Sequence, residues 1–320
     1  MTEAVGKRVL LAGATGYIGQ HVLKDLLQRG YEVTAAGRNI SNRADLKVVT
    51  ADLTDPHALD GLFPPGSFDA VISCIASRTG VARDAWAVDY EANRNLLSAG
   101  IKAGATHFVL LSAICVQRPR LAFQQAKLAF EAQLARSGID YSIVRPTAYF
   151  KSLAGQVKRV LEGKPFLLFG DGRLTACKPI SERDLSEFIV DCLVDDSRQN
   201  QILPIGGPGE AITPRKQGEW LFELTGITPK FRSVPPAMLS VAAALTKPLG
   251  LLIPAMAEKS ELARIGHYYA TESMLCWDEE MARYDANATP STGHETLQQF
   301  YQRVLSEGLQ GQEAGKHKLF

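Results

Sequence analysis

The sequence predicts an α/β protein with a doubly wound parallel sheet and a smaller C-terminal substrate-binding portion. Two observations predict this fold. Short apolar runs of strand length alternate, in the first half of the chain, with segments of helical periodicity. A glycine-rich turn follows the first apolar run, as it does in dinucleotide-binding sheets of the Rossmann type.

The first element is a strand, a turn and the start of a helix within residues 7–19. Residues 9–12 form an apolar run short enough for a strand buried on both faces, and Gly13, Gly16 and Gly19 follow at three-residue steps. Such glycines let backbone N–H groups approach a pyrophosphate, and the helix N-terminus adds partial positive charge. A tight turn without a ligand is the alternative. The predicted cofactor contacts here are Gly13, Thr15, Gly16, Tyr17, Ile18 and Gly19.

The second predicted strand, residues 32–38, ends at the residue that selects the cofactor. NAD-binding domains usually carry Asp or Glu there for the ribose hydroxyls, and this chain carries Arg38, with Arg43 close behind. A guanidinium matches a 2′-phosphate, so we predict NADPH; a solvated loop arginine is the alternative. Asp52, past the apolar part of the third predicted strand (residues 46–53), is expected beside the adenine.

Three further strands complete the predicted sheet, at residues 69–76, 107–113 and 141–147, with a helix over residues 84–103. Ligands of doubly wound sheets bind outside the carboxyl ends of the strands. The residues expected along that rim are Gly13, Arg38, Ser73, Ser112 and Arg145.

After Pro146 the alternation of strands and helices becomes less regular. We predict a strand at 165–170, a helix after the cap residue Ser181, a return to the sheet at 202–206, a helix starting at Thr213 and Pro214, and a final helix at 296–305. The chain is therefore divided into an NADPH-binding domain (1–150), a substrate-binding portion with some elements returning to the core sheet (151–308) and a disordered tail (309–320).

Composition restricts the function classes and the location. The 35 basic and 34 acidic residues nearly cancel, so the chain lacks the excess positive charge that attracts nucleic acid. The five cysteines are widely spaced without a C-x-x-C pair, so we expect no structural zinc, no other metal site and a reducing cytosol. The first strand begins within about six residues, which leaves no room for a signal peptide and favours a cytoplasmic location.

One apolar stretch, residues 234–256, is interrupted by Lys247 and Pro248. Neither uninterrupted half approaches the roughly 20 residues that span a bilayer. We predict a helical lid or a surface-seeking segment that makes peripheral membrane contact.

A resemblance extends over nearly the whole chain. The segments that carry it include L-S-A-I-C-V-Q-R-P (111–119), Q-Q-A-K-L-A-F-E (124–131), S-I-V-R-P-T-A-Y-F-K-S-L-A-G-Q-V (142–157), G-D-G-R-L-T-A-C-K-P-I-S (170–181) and R-I-G-H-Y-Y-A-T-E-S-M-L (264–275). They resemble the divinyl chlorophyllide 8-vinyl-reductases, an atypical short-chain dehydrogenase group related to isoflavone-reductase and nitrogen-regulator-like proteins. The resemblance implies NADPH-dependent reduction of an 8-vinyl group to ethyl in (bacterio)chlorophyll biosynthesis. Without a transit peptide, it implies a member of the bacterial type.

The sequence departs from short-chain dehydrogenases at one position. Their Tyr-x-x-x-Lys pair corresponds here to Phe123-Gln-Gln-Ala-Lys127. The resemblance implies that Lys127 is catalytic and binds the nicotinamide ribose, whereas a phenyl ring has no proton to donate. Either the chain is an NADPH-binding regulatory protein without catalysis, or its substrate needs no oxyanion protonated there.

The vinyl-reductase resemblance favours the second explanation. Hydride addition to the outer vinyl carbon leaves negative charge that the conjugated macrocycle can spread, so no carbonyl oxygen needs a proton. The inner carbon takes its proton afterwards. The candidate donors are Tyr149, Tyr268, Tyr269, Cys115 and water.

A tetrapyrrole substrate requires a large apolar cleft with a few polar anchors for its propionate. Residues 149–157, 166–169 and 234–256 are the expected walls, and Lys178 is a further candidate for the carboxylate. The alternatives are that Arg145 anchors a loop and that the aromatic residues are core. The sequence leaves the oligomeric state open. The predicted substrate contacts are Arg145, Tyr149, Phe150 and Lys151.

Overall fold

The computed structural model describes residues 7–41, 44–250 and 254–308. The strands are β1 (Arg8–Ala12), β2 (Glu32–Gly37), β3 (Lys47–Thr50), β4 (Ala70–Ser73), β5 (His107–Leu111), β6 (Asp140–Pro146), β7 (Phe166–Phe169), β8 (Gln201–Ile205), β9 (Phe231–Val234), β10 (Cys276–Asp278) and β11 (Arg283–Asp285). The helices are α1 (Tyr17–Gln28), α2 (Ala82–Ala85), α3 (Asn93–Lys102), α4 (Ala122–Leu134), α5 (Phe150–Leu153), α6 (Val157–Leu161), α7 (Glu182–Asp191), α8 (Pro214–Thr225), α9 (Ala237–Gly250), α10 (Pro254–Thr271) and α11 (Leu297–Glu307).

Seven strands form the main sheet in the order β3-β2-β1-β4-β5-β6-β8. Strand β1 pairs in parallel with both β2 and β4, so Ala12 lies between Ala36 and Ser73 at the carboxyl edge. The strand order reverses between β1 and β4, and the crevice at such a reversal is where doubly wound sheets bind ligands. The predicted fold class is confirmed.

The sheet is stable because its strands are apolar on both faces. Val9, Leu10 and Leu11 of β1 are completely buried, as expected for a strand covered by helices on both sides. Phe108 of β5 packs against Phe130 of α4, with ring centroids 5.7 Å apart. This apolar packing holds the carboxyl ends of the strands and the start of α4 in a defined arrangement.

The helix predicted over residues 84–103 contains a segment that the periodicity did not indicate. Between α2 and α3, Trp86–Ala92 is π-helical. The Asn93 side-chain amide donates hydrogen bonds to the carbonyls of Val88 and Asp89, at 3.3 and 3.1 Å. These bonds satisfy carbonyl groups where the helical turn is widened.

The chain forms two compact units. The first comprises Met1–Arg78, Ala82–Pro146 and Glu182–Leu203; the second comprises Thr79–Val81, Thr147–Ser181 and Pro204–Phe320. The assignment of one portion to NADPH and the other to substrate stays a prediction. The predicted tail, residues 309–320, lies outside the described residues.

The second unit contains a parallel pair, β7–β9, and an antiparallel pair, β10–β11. Its core includes Phe150 and Phe300, whose ring centroids are 5.3 Å apart. The predicted helix start at Thr213 is confirmed, since its hydroxyl accepts the N–H of Lys216 and Pro214 occupies the first turn. The predicted strand at 165–170 pairs with β9 and stays outside the main sheet.

Candidate functional site

In the glycine turn at the end of β1, the backbone at Gly13 lies very close to the start of α1 and to Cys74. A side chain on Gly13 or Gly19 would prevent this approach. Gly13 has φ +85°, and a Cβ on it would lie 2.7 Å from the carbonyl carbon and oxygen of Cys74. A Cβ on Gly19 would lie 2.0 Å from the carbonyl oxygen of Gly13, and the Gly16 N–H donates to that same oxygen at 2.9 Å. The turn therefore fits the compact cradle that a pyrophosphate requires.

The first turn of α1 supplies N–H groups to this cradle. Its N-cap is Gly16, which has no side chain to satisfy them. The side chain of Ile18 is buried in the core, so only its backbone can face a ligand, while Thr15 is exposed. The Tyr17 hydroxyl donates to Glu182 Oε2 at 2.6 Å, which orients the ring at the helix start.

The carboxyl ends of β2 and β3 place Arg38 near Asp52. Both side chains are exposed. Hydrogen bonds from the backbone N–H and hydroxyl of Thr54 lower the pKa of Asp52, and the Arg38 charge acts in the same direction. The contact of Arg38 with a 2′-phosphate stays a prediction, and Arg43 lies outside the described residues.

Lys127 lies on α4 with its side chain about 10% exposed, and its ammonium is 3.0 Å from Oδ1 of the fully buried Asp89. Burial raises the pKa of the Cys74 thiol to about 12, and the positive charge of Lys127 opposes that shift. Cys74 directly follows β4, its thiol lies within reach of the Lys127 charge, and its carbonyl lies against Gly13. The Lys127 ammonium and the glycine turn therefore both lie at the carboxyl end of β4.

Asp89 was not among the residues predicted from sequence. It lies in the π-helical segment, which interrupts the regular helix that periodicity predicts. One signal was available, because Asp89, Ala92 and Leu96 follow each other at spacings that share one helix face. An acidic residue on an otherwise apolar face usually has a buried partner.

Phe123 lies on the first turn of α4, four residues before Lys127 and on the same side of the helix. Its ring is partly buried. The position that a tyrosine takes in short-chain dehydrogenases is therefore filled by a group without a proton to donate.

A second buried ion pair holds Arg145. Its terminal guanidinium nitrogen bonds Glu131 Oε2, and its Nε lies 3.3 Å from Glu131 Oε1, which also accepts the hydroxyl of Ser112. The guanidinium thus has a structural partner within the first unit. Its predicted contact with a substrate carboxylate stays a prediction.

The other predicted substrate residues belong to the second unit. Phe150 is completely buried against Phe300, so its side chain is part of the core and not a cleft wall. Tyr149 and Lys151 are partly buried, at the start of α5. The Lys178 ammonium donates to the carbonyl of Thr289 at 2.9 Å and to the hydroxyl of Ser291 at 3.2 Å.

The candidate proton donors differ in burial. Cys115 and Tyr268 are almost completely buried, whereas Tyr269 is 39% exposed. Tyr268 and Tyr269 meet edge to face, with ring centroids 5.8 Å apart.

Over the described part of the chain, no helix is long and apolar enough to cross a membrane.

A family of NAD(P)H-binding proteins has a sequence model that matches residues 13–196. Curated relatives include the chloroplastic divinyl chlorophyllide a 8-vinyl-reductase of Cucumis sativus, 50% identical over 98% of this chain and 79% of the relative. The protein of the same name from Oryza sativa subsp. indica is 48% identical over 98% of this chain and 82% of the relative.

Two solved structures share the fold. The UDP-glucose 4-epimerase of Thermotoga maritima gives a TM-score of 0.69 at 18% identity, covering 96% of this chain and 100% of that chain. The NADPH-dependent quinone oxidoreductase of Escherichia coli, complexed with NADPH, gives 0.67 at 18% identity, covering 93% and 99%. At this level of identity the likeness concerns the fold alone.

Proposed function

This chain belongs to the divinyl chlorophyllide a 8-vinyl-reductase family, and from that premise we propose that it reduces the 8-vinyl group of a divinyl tetrapyrrole to ethyl with NADPH. The observation that carries the proposal is the identity of 50% over 98% of the chain. The substrate is a divinyl chlorophyllide or protochlorophyllide. The glycine turn and the lysine beside it supply the residues that such an oxidoreductase needs.

NADPH, when bound, supplies the hydride. The backbone N–H groups that follow Gly13 and Gly16 hold its pyrophosphate, since the turn has no side chain in the way. Arg38 pairs with the 2′-phosphate and Asp52 lies beside the adenine. The ammonium of Lys127 bonds the hydroxyls of the nicotinamide ribose and adds positive charge at the reacting edge.

The residue at position 123 is consistent with a vinyl substrate. A ketone reductase needs an acid that protonates the carbonyl oxygen, and Phe123 cannot provide one. A vinyl group has no such oxygen. The same observation favours one second candidate, an NADPH-binding regulatory protein of the nitrogen-regulator-like group that performs no reduction.

The protein has two features of the tetrapyrrole to recognise: its propionate and its flat apolar ring system. Tyr149 and Lys151 are both partly accessible and offer a ring and a cation for these two features. Arg145 is the further candidate for the propionate, acting from its ion pair with Glu131.

We also propose that helix α9 touches a membrane surface. Met238, Val241 and Leu245 of this helix are 58%, 56% and 69% exposed and follow at helical spacing, so they form one apolar stripe. Flotation with phospholipid vesicles tests this contact. Association that Val241→Asp does not weaken would argue against it.

The reductase proposal is tested with NADPH labelled at the transferable hydrogen. The protein is incubated with divinyl chlorophyllide, and the pigment is separated and counted. We expect label in the 8-ethyl product. If the protein binds NADPH but no label reaches the pigment, the regulatory alternative replaces the reductase.

A further inference from the structure

A buried carboxylate, that of Asp89, lies beside Lys127 and has no role in the proposed hydride transfer. Asp89 is 1% exposed, and its Oδ1 accepts the Lys127 ammonium at 3.0 Å and the N–H of Ser77 at 3.3 Å. Its Oδ2 is buried and has no hydrogen-bond partner among the described residues. Buried polar atoms are rarely left in this state, and each one requires an explanation.

Several contacts hold the Asp89 backbone in place. The Asn93 amide bonds the Asp89 carbonyl at 3.1 Å, and the carbonyl oxygen of the same amide accepts the hydroxyl of Ser73 at 2.5 Å. Ser73 is the last residue of β4. The carboxylate is thereby fixed to the edge of the sheet where the glycine turn lies, in a π-helical segment of the kind often found at functional sites.

Stability alone does not account for this pair. Two charges that leave water incur a desolvation cost, and apolar residues of similar volume are often equally stable at such positions. The pair is also incompletely satisfied, because Oδ2 is orphaned. A role in placing the ammonium explains why a charged pair occupies this position.

The Lys127 side chain is a flexible four-carbon stem with three N–H donors. One donor is directed to Asp89, and the side chain remains about 10% exposed. We propose that Asp89 is the positioning residue for Lys127: it fixes the ammonium so that the remaining donors face the nicotinamide ribose. The inference rests on the proposed use of NADPH, and Asp89 itself does not touch the cofactor.

The test compares two ligands that share their adenine half. Asp89→Asn keeps the shape of the side chain and removes its charge. Glu91→Gln is the matched control, because Glu91 lies in the same π-helical segment and pairs with Arg94 at a partly exposed site. Each purified protein is titrated with NADPH and with adenosine 2′,5′-bisphosphate, which carries the 2′-phosphate but no nicotinamide ribose.

We expect Asp89→Asn to raise the Kd for NADPH about tenfold, the scale of one hydrogen bond to a charged group, while the Kd for the bisphosphate stays unchanged. Glu91→Gln should change neither value. An equal loss for both ligands indicates a general structural role and overturns the proposal. No loss for either ligand overturns it as well.

A double-mutant cycle decides whether Asp89 acts through Lys127. In a Lys127→Met background, Asp89→Asn should add no further loss of NADPH affinity, and additive losses would refute the positioning role. The double variant also leaves no unpaired buried charge, so it folds even if Asp89→Asn alone does not. The titrations contain no tetrapyrrole, so their outcome is independent of whether the vinyl-reductase proposal holds.

Discussion

Helix α4 carries two buried ion pairs one turn apart, and they differ in how completely they are satisfied. Glu131 bonds Arg145 through both of its oxygens and accepts the hydroxyl of Ser112 as well. Lys127 pairs with one oxygen of Asp89, and the other oxygen has no hydrogen-bond partner in the part of the chain that the structure describes. The Glu131 carboxylate is thus saturated, since both of its oxygens are bonded, whereas the Lys127 ammonium lies beside the glycine turn with N–H donors that Asp89 does not take.

This difference suggests that one ion pair stabilises the fold and that the other serves cofactor binding and catalysis. The Glu131–Arg145 pair joins α4 to β6, so its loss should be seen first in stability. The Lys127–Asp89 pair lies near the glycine turn, where we propose that NADPH binds, so its loss should be seen first in turnover and cofactor binding.

Breaking the saturated pair should give the largest change. Glu131→Gln leaves the partly buried Arg145 guanidinium, 16% exposed, without a counter-ion, and we expect the free energy of unfolding to fall by about 3 kcal/mol. Denaturant unfolding measures this. NADPH affinity of the folded protein should be nearly unchanged.

The control for that experiment is the double variant Glu131→Gln with Arg145→Met, which should recover much of the loss because no unpaired charge remains. The single variant Arg145→Met separates the two roles of the arginine. A raised KM for the tetrapyrrole with normal stability would identify Arg145 as a substrate residue and would break the division proposed above.

Removing the ammonium should affect catalysis more than stability. Lys127→Ala is expected to lower vinyl reduction about a hundredfold, since small misplacements of a bound reactant can cost that much. The Kd for NADPH should rise by only about tenfold, because the phosphates are expected to bind the glycine turn and Arg38 and not the lysine. Lys127→Arg restores the charge but not the geometry, so recovery should be small. Normal turnover in Lys127→Ala would remove the lysine from the mechanism.

A third charge, Arg38, is exposed and sharpens the contrast with the buried pairs. Arg38→Asp should weaken NADPH binding by about 2 kcal/mol or more and spare NADH, because only NADPH carries the 2′-phosphate. Stability should not change, since the side chain is exposed. Titrations that show equal losses for both cofactors would contradict the assignment of Arg38.

The smallest effect is expected one turn before Lys127. Phe123→Tyr adds a phenol at the position where ketone reductases carry one, and we expect no gain in vinyl reduction and a modest loss at most. Steady-state assays with divinyl chlorophyllide measure it. A large gain would mean that the site is a damaged ketone-reductase site and that the reason given for Phe123 is wrong.

Much of the fold was predictable because it depends on local patterns. The apolar run of β1, the three glycines and the caps at Thr213 and Thr296 each act within a few residues, so periodicity and residue type identify them. Phe150 shows the limit of this reasoning. An aromatic residue next to a predicted cleft has the same sequence signature whether it lines the cleft or fills the core, and the structure buries it completely.

Local residue patterns were enough to predict the parallel sheet, the glycine turn, an arginine directly after β2 and a lysine on α4. Which charges meet depended on contacts between elements that are distant in the chain. Lys127 finds Asp89, and Arg145 finds Glu131, across elements whose approach depends on the packing of the sheet against its helices. The π-helical segment is a further example, since the periodicity of residues 84–103 predicts an uninterrupted α-helix there. Which distant side chains meet depends on how the many apolar groups pack together in the core, and a local pattern of residues does not specify that packing.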